Sequence, residues 1–200
     1  MGLEKQGSKP TGKIGYFIGK LMNRFHTAFY KKYYDSILPK GSVTFLDLGC
    51  GGGRLIAHLY DRAPTYRLFG LDHSQEMIAL SEQVNQEGIE RGHVTFDCSS
   101  VSHLPYDQNS MQIVTANETV QFWPDIPTAF AEVYRVLKQE GSFFIINRYP
   151  PEGSKWWKLA KLKNAADYQR ALEAAGFKSI ETDLTTKKGW IVSRAIKSSV

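Results

Sequence analysis

Seven consecutive residues, Asp47-Leu48-Gly49-Cys50-Gly51-Gly52-Gly53, put one carboxylate ahead of a cluster of glycines. Glycine lets a chain turn sharply and bring its backbone against a ligand. The helix that opens after such a loop offers unpaired N–H groups to polar or anionic atoms. A dinucleotide-binding G-x-G-x-x-G loop counted from Gly49 would need its third glycine at position 54, where the sequence has Arg54. The pattern present is D-x-G-x-G-x-G, and its plainest alternative is a loop that merely packs strand on helix. Asp72 stands at the end of the next apolar run, where a carboxylate can accept both hydroxyls of a ribose or cap the helix behind it. Glu118 is the leading carboxylate to face a substrate, with a structural salt bridge as its other reading. His26 and Tyr30 share an amphipathic N-terminal segment and can face the same substrate or solvent. Tyr16, Tyr33, Tyr149, Trp156 and Trp157 can cage a flat or cationic molecule or pack a lid.

Other chemistries find no support. Tyr149-Pro150-Pro151-Glu152 lacks the leading Asp or Asn of the D/N-P-P-Y motif that serves amino-group methylation on bases, and it follows the wrong strand. Cys50 sits inside the glycine loop and Cys98 is isolated, so neither has the setting of a nucleophile. His26, His58, His73, His93 and His103 show no ligand pairing at helical or hairpin spacing, so no metal site is expected.

These residues need elements to hold them. Apolar positions at Ile18, Leu21, Met22, Phe25 and Phe29 give a helical stripe across 14–38, ended by Pro39 and Gly41. Val43–Leu48 reads as a buried strand, Arg54–Tyr60 as a helix, and Tyr66–Leu71 as a second strand ending at Asp72. Ser74 is expected to cap a helix that buries Met77, Leu80 and Val84. His93–Phe96 and Met111–Ala116 read as strands. Asp125 is expected to cap a helix through Leu137, with Gly141 just past its end as a stop signal. Ser142–Asn147 is a fifth strand and Ala165–Ala175 a helix stopped by Gly176. Runs around Ile180 and over Trp190–Ile196, joined by polar residues, read as a closing hairpin. Strands alternating with helices imply a doubly wound, mostly parallel α/β sheet. Ligands bind such sheets at the carboxyl ends of the strands.

The loop Asp47–Gly53 resembles the first motif of class I S-adenosylmethionine (SAM)-dependent methyltransferases. The resemblance extends from about Val43 to Ile196. It implies a Rossmann-like, seven-stranded sheet over 43–196 with a C-terminal antiparallel hairpin strand and an N-terminal helical lid over 14–40. It implies SAM as cofactor, with Asp47, Gly49, Cys50 and Gly51 in the cofactor loop and Asp72 on the ribose. His73 and Met77 would border the adenine. Ser99-Ser100-Val101-Ser102-His103-Leu104-Pro105-Tyr106 is similar to the family's G-D-A-x-x-L-P-F segment. Ser100 there takes the place of the acid that accepts from the adenine amino group, Val101 offers its backbone N–H, and Asp97 is a rival acid. The stretch Ala116–Asp125, with Asn117 and Glu118, corresponds to the loop that closes over the methionine end and touches substrate. It follows a strand opening Met111-Gln112 where Phe-Asp is common. Glu132–Gly141 is similar to E-x-x-R-V-L-K-P-G-G, with Gln139-Glu140 replacing Pro-Gly, and Ala174–Phe177 to the A-G-F step. The nearest look is to the small-molecule branch, as in ubiquinone and menaquinone biosynthesis.

Two hundred residues suit one ordinary domain, and 14–200 is expected as a single one. The polar 1–13 reads as a disordered leader, with a transit peptide as the alternative. No apolar run reaches membrane-spanning length, and two cysteines without framework spacing point to a reducing, cytoplasmic setting. The net charge of +5 collects in lysines near the start and at Lys155, Lys158, Lys161 and Lys163. Such charge fits solvated faces better than a dedicated nucleic-acid stripe. The expected activity is direct displacement of the SAM methyl onto a small-molecule acceptor, by a monomer or homodimer. An RNA- or ribosome-associated methyltransferase and a non-catalytic SAM-binding partner subunit are the alternatives.

Overall fold

Residues 44–48 are buried at every position but the first, as a strand covered on both faces must be. The computed structural model describes residues 27–149, 151–154, 157–158, 160–186 and 188–199. They fall into two compact units whose boundary in sequence lies between Ser100 and Val101.

The first unit runs α1 (Thr27–Ile37), β1 (Thr44–Leu48), α2 (Arg54–Arg62), β2 (Arg67–Asp72), α3 (Gln75–Val84), α4 (Gln86–Glu90) and β3 (Val94–Cys98). Its strands lie in the order β3-β2-β1. Both pairings are parallel, with Leu46 opposite Phe69 and Gly70 opposite Phe96. α2 buries Leu55, Ile56 and Leu59, and α3 buries Met77, Ile78 and Leu80. The lid helix expected from Ile14 is described over α1 alone; 14–26 lie outside the described residues. Tyr34 of α1 is fully buried, edge-on to Phe45 of β1 at 6.1 Å between centroids. Such a ring pair contributes about 0.5–1.5 kcal/mol beyond its burial.

The second unit runs β4 (Met111–Asn117), a 3-10 turn (Val120–Phe122), α5 (Ile126–Val136), β5 (Leu137–Arg148), α6 (Ala165–Ala174), β6 (Ser179–Asp183) and β7 (Trp190–Ile196). Its strands lie in the order β4-β5-β7-β6. β4 and β5 are parallel, while β7 is antiparallel to both β5 and β6. Seven strands are thus described, and the closing hairpin forms where expected. Asp125 caps α5, its Oδ1 accepting from Thr128 N at 3.2 Å. Phe130, Phe143 and Phe177 form the aromatic centre of this core, with Phe130 to Phe143 at 5.5 Å and Phe143 to Phe177 at 6.0 Å.

Gly141 corrects one expectation. α5 ends at Val136 and the chain turns extended at Leu137, so β5 starts five residues earlier than Ser142 and Gly141 lies inside it. A Cβ at Gly141 would come 2.8 Å from the Lys138 carbonyl and 3.1 Å from that of Gln112. The glycine is there for close backbone approach, near the register shift between Met111 and Ile113. Among the described residues no helix is long and apolar enough to cross a membrane.

Candidate functional site

The glycine loop is fastened to the end of β2. Gly49 N and Cys50 N both donate to the Leu71 carbonyl, at 2.7 and 3.0 Å. Gly49, Gly51 and Gly53 have φ of 71°, 55° and 69°, the left-handed region that favours glycine. Their demands differ. A Cβ at Gly51 would meet nothing within 4 Å, whereas one at Gly53 would strike Asn85 Nδ2 at 2.6 Å. Asn85 is buried and donates from Nδ2 to the carbonyls of Gly53 (3.1 Å) and Ser81 (2.8 Å). Ser81 Oγ in turn donates to the Gly51 carbonyl at 2.6 Å. The loop is therefore held from below by two polar side chains of the α3 region, while its Gly51 side stays open.

Asp72 closes this arrangement. Its Oδ2 accepts from Gly51 N and its Oδ1 from Ser74 N, both at 3.0 Å, and the residue is only 7% exposed. A carboxylate offers about four lone-pair sites, so two backbone bonds leave room for two hydroxyl donors. His73, half exposed, has Nδ1 3.4 Å from Oδ1. Ser74 sits at the cap position of α3, but its hydroxyl makes no cap bond and donates to Glu76 Oε2 at 2.9 Å instead. The expected Ser74 cap is thus corrected, because Asp72 fixes that turn through Ser74 N. Ser99 N donates to the Asp72 carbonyl at 3.1 Å, tying the exit of β3 to that of β2. Asp47 is buried at the end of β1. Burial first, then the charges of Asp72 and Asp47, push the Cys50 thiol well above its ordinary pKa, so it stays a protonated packing group.

In the second unit the E-x-x-R segment acts as a clamp. Arg135 Nε and Nη2 donate to the Glu132 carboxylate at 2.6 and 2.9 Å. Its Nη1 and Nη2 also donate to the carbonyls of Tyr106 (2.7 Å) and Leu104 (2.9 Å), while Leu104 N donates to Glu132 Oε2 at 2.8 Å. The Leu104-Pro105-Tyr106 turn is thereby held on one face of α5.

The ends of β4 and β5 carry a second constellation. Glu118, just past β4, has φ +56°. Its N–H donates to the Ile146 carbonyl at 2.7 Å, and its own carbonyl accepts from Gln121 Nε2 at 2.5 Å. Its Oε1 accepts from Arg148 Nε at 2.7 Å. Arg148 lies over the Trp190 ring at 4.1 Å. On the neighbouring position of β5, Asn147 Nδ2 donates to the Tyr168 hydroxyl at 2.7 Å, and burial pushes the Tyr168 phenol up to about 12. Lys161 Nζ donates to the carbonyls of Trp123 (2.5 Å) and Pro124 (2.6 Å), fastening the far end of the loop after β4.

Of the residues singled out in the sequence, Asp47, Gly49, Cys50, Gly51, Asp72 and His73 gather around the exits of β1 and β2. Met77 is buried on α3 at 3% exposure, Ser100 is exposed and Val101 half-buried. Asn117 ends β4, with Glu118 next to it. Tyr30 is buried at 5% exposure on α1, its ring 6.2 Å from that of Phe29. His26, Tyr16 and Trp156 lie outside the described residues. Sequence reading missed Ser81, Asn85 and Arg148. Only Arg148 carried a signal, as the first residue after an expected strand.

Comparison with known proteins places these features in company. The family described as "Methyltransferase domain" matches residues 46–145. Demethylmenaquinone methyltransferase of Lactobacillus johnsonii is 31% identical over 123 residues, covering 60% of this chain and 50% of that protein. Nocamycin O-methyltransferase of Saccharothrix syringae is 25% identical over 138 residues, covering 68% of this chain and 49% of its own. The chain thus spans about half the length of these curated relatives. Among solved structures, phosphoethanolamine N-methyltransferase 2 of Haemonchus contortus superposes with a TM-score of 0.76 at 17% identity, over 92% of this chain and 57% of that one. That likeness establishes the Rossmann-like fold.

Proposed function

The chain belongs to the methyltransferase-domain family, and from that premise we propose that it transfers a methyl group from SAM to a small-molecule nucleophile by direct in-line displacement. The observation that carries the reading is Asp72. A nearly buried carboxylate at a strand end takes Gly51 N–H from a loop of left-handed glycines and keeps lone pairs for two more donors. Those free acceptor positions fit the two hydroxyls of a ribose diol. The open side of Gly51 fits close approach of the rest of the cofactor.

When bound, SAM supplies a sulfonium methyl that is already electrophilic. The protein's share is to hold the cofactor, orient the acceptor and exclude water. In this reading Asp72 receives the ribose hydroxyls, and Asp47, Gly49, Cys50 and Gly51 line the methionine and ribose side with backbone. His73 and Met77 flank the adenine, Ser100 and the Val101 N–H address its edge, and Asn117 borders the methionine end. Glu118 is assigned in this reading to the acceptor, and so, by the same assignment, are Tyr30 and His26. A general base is required only where the acceptor holds a proton that must leave early.

Calorimetric titration with SAM and with S-adenosylhomocysteine tests the reading on wild type and on Asp72→Ala. Both ligands should bind, and the substitution should weaken each by about tenfold to a hundredfold, the loss of charge-assisted hydrogen bonds. Folded wild-type protein that binds neither would overturn it. Binding then justifies radiolabelled methyl transfer to pools of small acceptors. An intact cofactor site with no transfer to any pool would point to the non-catalytic alternative.

A further inference from the structure

Arg148 is an exposed cation gripped by both a carboxylate and an aromatic ring. A guanidinium has five N–H donors. Here Nε donates to Glu118, and one flat face rests on Trp190, which is only 3% exposed. The four N–H groups of Nη1 and Nη2 have no partner among the described residues, and the side chain is 53% exposed. A surface arginine normally loses rotamer freedom when it grips an anion. This one has lost it in advance, and it presents a planar edge suited to two parallel bonds. It also stands at the carboxyl end of β5, beside the residue that follows β4, where ligands of such sheets bind.

Two independent observations agree. Glu118, which steers the guanidinium, is a non-glycine residue held at φ +56° by Ile146 O and Gln121. Strain of this kind persists where the surrounding structure over-determines it, and it collects at ligand sites. The segment that follows Arg148, residues 149–164, holds Lys155, Lys158, Lys161 and Lys163 against one acid, Glu152. Lys161 is spent on the carbonyls of Trp123 and Pro124, with Asp125 within electrostatic reach of its charge. The stretch of sequence that leaves this strand end is therefore net positive.

We propose that Arg148 recognises the methyl acceptor, that the acceptor carries a carboxylate or phosphate group, and that Glu118 is a positioning residue for Arg148. This rests on the methyltransferase reading above. It moves Glu118 from a carboxylate facing the substrate to the group that aims the cation facing it.

The test uses the arginine side-chain 15N–1H resonances of the full chain in saturating S-adenosylhomocysteine, with the Arg148 signals assigned by their loss in Arg148→Lys. The probes are benzoate, phenyl phosphate and neutral benzamide. Arg148 should shift saturably with benzoate or phenyl phosphate, at a concentration about tenfold below that needed to move the exposed Arg62 and Arg170. Which anion does so decides between carboxylate and phosphate. Benzamide should have no effect. Arg148→Lys should weaken the anion several-fold in a Trp190 fluorescence titration, and Arg148→Gln should abolish its binding. Glu118→Ala should weaken it several-fold and Glu118→Gln restore part of the loss, with thermal unfolding checking each variant's fold. Equal shifts at all arginines, or equal response to benzamide, would overturn the anion site. Unchanged anion affinity in Glu118→Ala would overturn the positioning role. Failure of S-adenosylhomocysteine to bind wild type in calorimetry would instead sink the methyltransferase reading.

Discussion

Gly51 and Gly53 sit two positions apart and answer to different constraints. Both have positive φ, so alanine at either carries the left-handed penalty of about 1–2 kcal/mol. At Gly53 the new Cβ also meets Asn85 Nδ2 at 2.6 Å and Ser81 Cα at 3.0 Å. That adds an overpacking cost of about 1–3 kcal/mol and disturbs the Asn85 bond to the Gly53 carbonyl. Gly53→Ala should therefore unfold several degrees below Gly51→Ala. Gly51→Ala, whose Cβ enters open space, should lose more cofactor affinity than its modest fall in Tm implies. Thermal unfolding and calorimetry on the pair check this; equal melting temperatures would remove the packing account of Gly53. The glycines were legible in the sequence because only glycine meets such backbone demands cheaply. Asn85 was not, because it reaches Gly53 across 32 residues of sequence, and nothing about an isolated asparagine marks its tertiary partner.

The clamp of α5 on the 104–106 turn shows the same divide one level up. The segment Glu132–Gly141 was visible as a family motif, but its work was not. Arg135 and Glu132 are three apart and face one way on a helix, yet the backbone carbonyls and N–H they hold lie about thirty residues back, a relation that appears only after folding. Gly141 was misread because a glycine shortly after a helical stripe looks like a stop, and the close approach to Lys138 and Gln112 that requires it is tertiary. Arg135→Ala removes the donors to Leu104 O and Tyr106 O and should destabilise the protein by about 1–3 kcal/mol, with hydrogen exchange rising first around 104–106. The pH response has a definite sign. Hydrogen bonding from Arg135 holds the Glu132 carboxyl below the ordinary glutamate range. The contribution to stability is therefore complete above the unfolded pKa and is lost as pH falls through the depressed folded value. Urea midpoints measured from neutral pH into that acid range should fall less steeply in Glu132→Gln than in wild type. Parallel curves would assign the acid sensitivity elsewhere.

For the molecule as a whole, alternation of strands and helices was enough to foresee a doubly wound sheet, because the periods of two and of 3.6 residues are imprinted by burial on one or both faces. Strand ends were expected to carry the candidate residues, and Gly49, Gly51 and Asp72 lie together at the exits of β1 and β2. What kind of ligand that place takes is a global property, since binding to the native state alone adds stability to the entire fold. A ligand at a hundred times its Kd adds about 2.7 kcal/mol. For a chain of 200 residues that is a rise in Tm of about 5–10 °C. S-adenosylhomocysteine should produce such a rise in wild type and, at the same concentration, a clearly smaller one of about 1–6 °C in Asp72→Ala, as a tenfold to hundredfold weaker Kd requires. NADH should produce none in either, because Arg54 stands where the dinucleotide loop needs its third glycine for close helix–strand packing. A rise with NADH and none with S-adenosylhomocysteine would mean that the glycine loop serves a dinucleotide despite Arg54, and the two diol-binding lone pairs of Asp72 would then belong to a nicotinamide cofactor's ribose.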